Sequence, residues 1–275
     1  MLTRILRLLL ATLALSTATT VSAHEMFLKA QQSIVEPNTK QVIRLVNGTF
    51  DKSENAITRE RMADVSILAN GEITKPVPSA WHDDENSSYL TFETQGSGTY
   101  VVGVSTRPRI LTMSPEEFIA YLKHDGVLDT LAEFESQNTL TSVREKYSKH
   151  VRTFLQVGEE RSADFEKPLG YPVEIIPEQN PYELRFGDNL SFRVLREGKP
   201  VRNQLVRASY EGFHGHDASG GHINSYELRT DEDGRASVLL SNKALWYISL
   251  IHMEKVSRPD YDYESNWATA TFLVR

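Results

Sequence analysis

The sequence predicts a mainly β protein made of two immunoglobulin-like or transthyretin-like β-sandwich domains with a short α-helical insert between them. Segments that alternate apolar and polar residues recur in both halves of the chain, for example QVIRLVNG at 41–48. Strong turn signals such as Asn70-Gly71 separate these segments. A stretch near the middle has the period of a helix, and a proline-rich stretch follows it. Together these observations predict two sandwiches rather than a helical or α/β fold.

Residues 1–23 have the organisation of a cleaved signal peptide. Arg4 and Arg7 precede an apolar run at 8–15, and Val21-Ser22-Ala23 supplies the small residues that a signal peptidase requires. The apolar run is shorter than the roughly 20 residues of a membrane span, and no later segment approaches that length. We therefore expect export to the periplasm, a mature chain that begins at His24 and does not span a membrane.

The mature chain divides into four segments. An N-terminal β-sandwich is expected over 24–112 and a helical insert over 113–155. The insert begins with Ser114-Pro115-Glu116-Glu117, which has an N-cap, a proline at the first helical position and a glutamate that closes a capping box. Four prolines keep the connector at 156–188 extended, and a C-terminal β-sandwich follows over 189–275.

Composition limits the possible partners and ligands. The net charge is −7, and loss of Arg4 and Arg7 with the signal peptide makes the mature chain more acidic still. An acidic surface disfavours nucleic acid as a partner. Because cysteine is absent, no disulfide or thiolate is available, and any metal site must use imidazole, carboxylate, amine or backbone groups. The sequence also lacks a nucleophile elbow, a phosphate-binding glycine loop and an H-E-x-x-H zinc motif.

His24 is the strongest candidate metal ligand. Cleavage after Ala23 would give this residue a free α-amine beside its imidazole, and an amine with a pKa of about 8 loses its proton to a metal at neutral pH without large cost. The amine and Nδ1 could chelate one ion together. A second histidine would complete a three-nitrogen site that suits Ni(II) or Cu(II). The alternative is that His24 merely follows the cleavage site.

His252 and a histidine-rich loop are the candidate partners of His24. Strand alternation in WYISLIHM at 246–253 places His252 on the same face as Ile248 and Leu250, so it is either a ligand or a hydrogen-bonded core residue. His214, His216 and His222 occur in a short Gly- and Ser-rich loop, where alternate residues project to one side. An exposed loop without metal is the competing interpretation of that cluster.

The other histidines are expected to be solvated. His124 and His150 fall in the predicted helical insert, and His82 lies in an acidic turn. The three tryptophans Trp81, Trp246 and Trp267 are expected in the core or between domains. Asp262 and Glu264, which precede the last strand, could supply a carboxylate near His252.

The chain resembles a known family along most of its length. The matching segments are AHEMFL at 23–28, EEFIAYLKHDGVLDTL at 116–131, EKYSKHVRTFLQVG at 145–158, PLGYPVEIIPEQNPYELRFGDNLSFRVLREGKPV at 168–201, LRTDEDGRASVLLSNKALWYISLIHM at 228–253 and SNWATATF at 265–272. They resemble the domain of unknown function 4198 family (DUF4198), periplasmic proteins associated with nickel or cobalt uptake. The resemblance implies binding of a divalent transition metal, Ni or Co, as a carrier or accessory to a membrane transporter. The cluster at 214–222 departs from the family pattern.

Two other functions remain open at the level of sequence. An N-terminal histidine with a second histidine is also the arrangement of the copper histidine brace, which would make the protein a redox enzyme. A non-catalytic immunoglobulin-like binding or adhesion module, in which the histidines have no role, is the third possibility.

Overall fold

The computed structural model of the protein describes residues 24–137, 139–216, 219 and 221–275, with only the backbone of His222. The predicted signal peptide at 1–23 lies outside these residues. The first half of the described chain contains β1 (Glu25–Ala30), β2 (Ile34–Val35), β3 (Lys40–Gly48), β4 (Met62–Ala69), β5 (Glu72–Thr74), β6 (Trp81–Asp83), β7 (Ser88–Glu93), β8 (Gly98–Thr106), β9 (Arg109–Met113), α1 (Pro115–His124), α2 (Leu128–Gln137) and β10 (Val143–Val157).

The second half is built of strands. They are β11 (Val173–Pro177), β12 (Asn189–Arg196), β13 (Lys199–Pro200), β14 (Leu205–Tyr210), β15 (Gly215–His216), β16 (His222–Ile223), β17 (Tyr226–Arg229), β18 (Arg235–Leu239), β19 (Leu245–Lys255) and β20 (Tyr263–Leu273). The mainly β class is therefore confirmed. No helix in the described part of the chain is long and apolar enough to cross a membrane.

One large sheet contains strands from both halves of the sequence. Its order is β17-β14-β19-β20-β10-β8-β4-β5, and β2 and β9 also pair with β10. The link between the halves is the parallel pairing of β10 with β20, from Glu145 opposite Tyr263 to Thr153 opposite Thr271. The expected segments 24–112 and 189–275 thus contribute to a continuous sheet across the connector that separates them in sequence.

Smaller sheets cover the two faces of the large sheet. On one side, β1-β3-β7-β6 forms a core with β4, β8 and β10 that includes Ile43, Leu45, Val102 and Leu155. On the other side, β11-β12-β13 with β18 encloses the second core, which contains Phe154, Phe192 and Trp246. Successive residues of β10 alternate between these two cores because side chains along a strand point to opposite faces.

The helical insert is shorter than its predicted extent of 113–155. The capping box at Ser114 forms, with both the Ser114 side chain and the Glu117 side chain bonded to backbone N–H groups, and α1 packs against α2 over Phe118, Leu122 and Phe134. Residues 143–157, however, form the 15-residue strand β10. The charged residues of β10 are typical of a solvated helix. The strand nevertheless lies at the centre of the sheet, where partners in neighbouring strands compensate the buried charges.

The connector and the tryptophans follow the predicted pattern. After the last two residues of β10, the connector at 156–188 contains one short strand, β11, bounded by Pro172 and Pro177. It lies at the end of its sheet, where missing backbone donors are tolerated. Trp81, Trp246 and Trp267 are all buried, as expected.

Candidate site around His24

His24 is held by the strand that follows it. Glu25 begins β1, which pairs with β3 and crosses the face of β10 and β20. The Thr269 hydroxyl donates a hydrogen bond to the carbonyl of Met26 at 2.8 Å, and the Lys149 ammonium donates to the carbonyl of His24. These bonds tie the first residues of the predicted mature chain to the middle of the molecule.

The imidazole of His24 is oriented by a carboxylate. Its Nε2 lies 2.9 Å from Oε2 of Glu54, and the His24 side chain is 23% exposed. Glu54 is itself fixed, since its backbone N–H donates to the carbonyl of Asn47 at 2.9 Å. The contact engages Nε2 and leaves Nδ1 as the ring nitrogen nearer to the main chain.

His24 and Glu25 line a cavity of about 1110 Å³ between the N-terminal strands, α1 and the β14–β19 edge of the large sheet. The wall carries five carboxylates and several aromatic rings, and Arg207 is a cation among them. The carboxylates are Glu25, Asp51, Glu54, Asp125 and Glu227, and the rings include Phe50, Tyr210, Tyr247 and Trp267. A cavity of this size with a few convergent polar groups can enclose a small ligand.

Two of these carboxyl groups have unusual electrostatics. Burial raises the pKa of Glu25 above its ordinary value, against opposing effects of Ser249, Arg207 and Lys149. Burial, followed by the negative charge of Glu25, raises the pKa of Asp125 to about 7. The Oδ2 atom of Asp125 is buried and has no hydrogen-bond partner among the described residues. Perturbed carboxyl groups that share a cavity are typical of functional sites.

Lys149 completes the buried group. The Lys149 side chain is buried, and burial lowers its pKa to about 8, although Glu25 acts in the opposite direction. The ammonium also donates to Oδ1 of Asn47 at 3.4 Å and lies 5.3 Å from the centroid of the Trp267 ring. A buried lysine beside His24 is the feature that the sequence interpretation missed. No local signal identified it, because Lys146, Lys149 and Arg152 recur at a spacing of three residues, which suggests a helix.

The structure does not bring His252 to His24. Along β19, Trp246, Ile248 and Leu250 pack in the core beneath β12, whereas Ile251 and Met253 pack on the opposite face with Trp267. His252 continues the first series, and His24 lies on the other face beside Trp267. Strand alternation thus places the large sheet between the two imidazoles.

The surroundings of His252 are those of a partly buried polar residue. Its Nδ1 bonds to Oε1 of Gln204 at 2.9 Å, and Nε2 lies 3.5 Å from Glu254 with no hydrogen-bond partner among the described residues. Burial lowers the pKa of His252, and Glu254 opposes that effect. The carboxylates proposed from sequence have other partners. Asp262 pairs with Arg144 at 3.2 Å, and Glu264 pairs with Lys146 at 3.2 Å.

The histidine-rich loop forms a short hairpin at the rim of the large cavity. In it β15 pairs with β16, with His216 opposite His222, and both His214 and His216 are exposed. Phe213 and Ile223, at the two ends of the hairpin, line the cavity that His24 enters. The hairpin and His24 therefore border the same space, although they are distant in sequence.

The remaining histidines divide into two groups. His82 is exposed and stacks on Tyr89 with ring centroids 5.1 Å apart, and the His124 side chain is 72% exposed at the end of α1. The expectation of a solvated His150 is wrong, because His150 is only 3% exposed within β10. The error follows from the helix assignment, which placed this residue on a surface.

Side chains alone do not form a metal site in the described part of the chain. Among these residues, no group of three or more His, Cys, Asp or Glu side chains is arranged to hold a metal ion. A site at His24 would therefore need a main-chain group, such as the α-amine that the predicted cleavage after Ala23 would create.

The fold and the cavity define a mainly β protein whose first described residues lie in a polar, partly buried pocket. The chain belongs to the family described as Domain of unknown function (DUF4198), whose sequence model matches residues 21–254. No protein of curated function matches the sequence.

Several solved β-rich proteins are distantly similar. The D0-D1 domain of intimin covers 91% of this chain and 98% of its own, at 10% identity and a TM-score of 0.22. The Yersinia pseudotuberculosis adhesin InvE covers 89% and 58%, at 12% identity and 0.23. Alpha-2-macroglobulin from Escherichia coli covers 93% and 16%, at 10% identity and 0.24. Likenesses at this level support no functional inference.

Proposed function

We propose that the protein is exported to the periplasm, is cleaved after Ala23, and binds a divalent transition metal, Ni or Co, at His24 as a carrier or accessory in metal uptake. The observation that carries this proposal is the contact of His24 Nε2 with Glu54 at 2.9 Å. A carboxylate on one ring nitrogen is the usual partner of a histidine whose other nitrogen binds a metal, because it fixes the ring and raises its basicity.

The donor set suits a transition metal. The α-amine and Nδ1 of His24 supply two nitrogens from one residue, and both are ligands that Ni(II), Co(II) and Cu(II) accept. Glu25 and Asp125 line the same cavity and can add carboxylate oxygens. Burial raises the pKa of both carboxyl groups, so protons compete with a cation there, and metal binding should release protons and strengthen as the pH rises. A site with few fixed ligands also suits a carrier that must release its ion to a transporter.

The copper histidine brace has less support. It requires a second imidazole next to the N-terminal histidine, and His252 lies on the other face of the sheet. Among the residues whose side chains are described, His124 is the other histidine that lines the cavity, and it is largely exposed. Copper therefore enters as a competing ion in the experiment below rather than as a catalytic centre.

The test is a calorimetric titration of Ni, Co, Cu and Zn into mature protein that begins at His24. We expect saturable Ni or Co binding well below ~1 mM, where association is worth only about 4 kcal/mol. His24→Ala and a single serine added before His24 should each weaken binding at least tenfold, because each removes one nitrogen of the chelate. Glu54→Gln should weaken it about 10- to 100-fold through loss of orientation.

The matched control is His82→Ala, which removes an exposed histidine next to acidic residues and should leave the affinity unchanged. A His214→Ala, His216→Ala double variant measures any contribution of the hairpin. If the protein with the added serine binds metal as tightly as the mature form, the amine–imidazole site is refuted. If no metal binds below ~1 mM, the non-catalytic binding module becomes the better function.

A further inference from the structure

A second cavity lies on the other side of His24. It has a volume of about 380 Å³ and lies between β3, the segment before β4, β9, α1 and β10. The polar wall of this cavity is mainly cationic, with Arg61, Arg109 and Lys149 among the lining residues, whereas the wall of the larger cavity is mainly acidic. Met26, Ile57, Leu111 and the ring of Trp267 give it an apolar side.

The acidic residue of this wall, Glu145, is hydrogen-bonded to neutral hydroxyl groups. Glu145 is 1% exposed and accepts hydrogen bonds from the hydroxyls of Tyr121, at 3.0 Å, and Ser265. Burial raises the pKa of its carboxyl group, which disfavours the negative form. Glu145, Glu25 and Asp125 act electrostatically on Lys149, whereas no carboxylate of the described residues is among the groups that act on Arg61.

Two buried donors at the cavity have no acceptor. Nη1 of Arg61 and Nε1 of Trp267 are buried and have no hydrogen-bond partner among the described residues. Trp267 is only 3% exposed, and Lys149 is 7% exposed with its ammonium between Asn47 and the carbonyl of His24. Native proteins rarely leave buried N–H groups unpaired, so such groups at a cavity indicate a ligand that brings acceptor oxygens.

We propose that this second cavity binds a small organic carboxylate, held by Arg61, Lys149 and the indole N–H of Trp267. A guanidinium group matches the two oxygens of a carboxylate with parallel N–H donors. The apolar side of the cavity accommodates the carbon skeleton, and this favours an organic acid over inorganic phosphate. The volume admits a ligand of about the size of a small dicarboxylic or tricarboxylic acid. The proposal needs no metal at His24 and goes beyond the proposed function.

The test uses mature protein freed of metals with a chelating resin, so that no soluble carboxylate chelator remains. Succinate, citrate and benzoate are titrated by calorimetry, with inorganic phosphate as the comparison anion. We expect at least one carboxylate to bind saturably with a dissociation constant below ~1 mM. The Arg61→Gln and Trp267→Phe proteins should each bind that carboxylate at least tenfold more weakly. Phosphate should bind at least tenfold more weakly than that carboxylate.

Controls separate a built site from general charge. Arg258→Gln removes an exposed arginine that does not line the cavity and should leave binding unchanged. Circular dichroism checks that Arg61→Gln and Trp267→Phe fold. If they do not, Arg109→Gln is the substitute test, because it changes an exposed lining residue and should also weaken carboxylate binding. Absence of saturable carboxylate binding, equal losses in Arg258→Gln and Arg61→Gln, or tighter binding of phosphate would each overturn the proposal. Because metal is absent throughout, a negative result would refute the carboxylate site without bearing on the proposed metal site at His24.

Discussion

The hydrogen bonds of the buried His150 ring depend on its protonation state. Its Nε2 lies 3.0 Å from Oδ1 of Asn266, its Nδ1 lies 2.9 Å from the Ser105 hydroxyl, and the ring is 3% exposed. A neutral ring that donates to Asn266 and accepts from Ser105 satisfies both nitrogens. Burial lowers the pKa of His150 from 6.5 to about 4, with Asn266 opposing and Arg196 assisting.

This pKa predicts acid-sensitive stability. Because the folded-state pKa is lower than the unfolded one, the unfolded chain binds the proton more tightly. The contribution is complete above about pH 6.5 and is lost as the pH falls from 6.5 through about 4, by an amount on the order of 3 kcal/mol. Urea unfolding at pH 7, 5.5 and 4 should show that His150→Gln loses less stability on acidification than the wild type. His124→Gln, an exposed control, should follow the wild type, and parallel curves for all three would contradict the assignment.

At the level of residues, sequence predicted types and faces better than partners. It singled out His24 as a special position, and it predicted the alternation of β19, in which Ile248 and Leu250 are in the core and His252 follows in the same series. The distance between the two histidines depends on which face β1 crosses, and that is decided by long-range contacts such as Thr269 with the carbonyl of Met26. Glu54, the partner of His24, comes from a loop with no motif, so no local pattern could have identified it.

The strand β10 joins the large sheet to the small sheet through a buried ion pair. Arg152 and Glu174 of β11 are 2% and 3% exposed and are in direct contact, and Glu174 also accepts backbone N–H bonds from Leu169 and Gly170 at 2.7 and 3.2 Å. Breaking one partner of a buried pair leaves an uncompensated charge in a medium of low dielectric constant.

We therefore expect Glu174→Gln to lower the free energy of unfolding by about 3–5 kcal/mol. The double variant Arg152→Met, Glu174→Leu should recover most of that loss, because apolar side chains of similar volume carry no desolvation penalty. Guanidinium chloride unfolding at pH 7 measures both. The matched control is Arg235→Gln, which removes an exposed arginine paired with Glu178 and should cost no more than about 1 kcal/mol. A double variant no more stable than Glu174→Gln would show that the pair does not act by charge compensation.

At the level of elements, local signals succeeded where they were self-contained. The capping box at Ser114 and the prolines around β11 affect only residues nearby in the sequence, and both were predicted. The strand β10 was not, because Lys146, Lys149 and Arg152 suggest a solvated helix until their partners Glu264, the His24 carbonyl and Glu174 are known. Those partners come from other parts of the chain, and tertiary contacts overrode the local preference.

The whole molecule is organised around the parallel pairing of β10 and β20. Each half of the sequence supplies one of these strands, and each strand is flanked on its other side by strands of its own half, β8 or β19. Both cavities at His24 also need both halves, since Trp267 of β20 and strand β1 line them together. The metal and carboxylate sites proposed here therefore require the intact chain.

We expect the mature chain to unfold in a single cooperative transition rather than as two domains. Division at 166/167 would expose the paired edges of β10 and β20 and open the cores on both faces of the sheet, and unpaired edges favour aggregation. Calorimetry should give equal van't Hoff and calorimetric enthalpies. The separate fragments 24–166 and 167–275 should fail to give dispersed amide spectra alone, while a mixture regains them if the fragments can pair. Two resolved transitions, or a fragment that folds alone, would contradict this expectation and support the two-domain division predicted from the sequence.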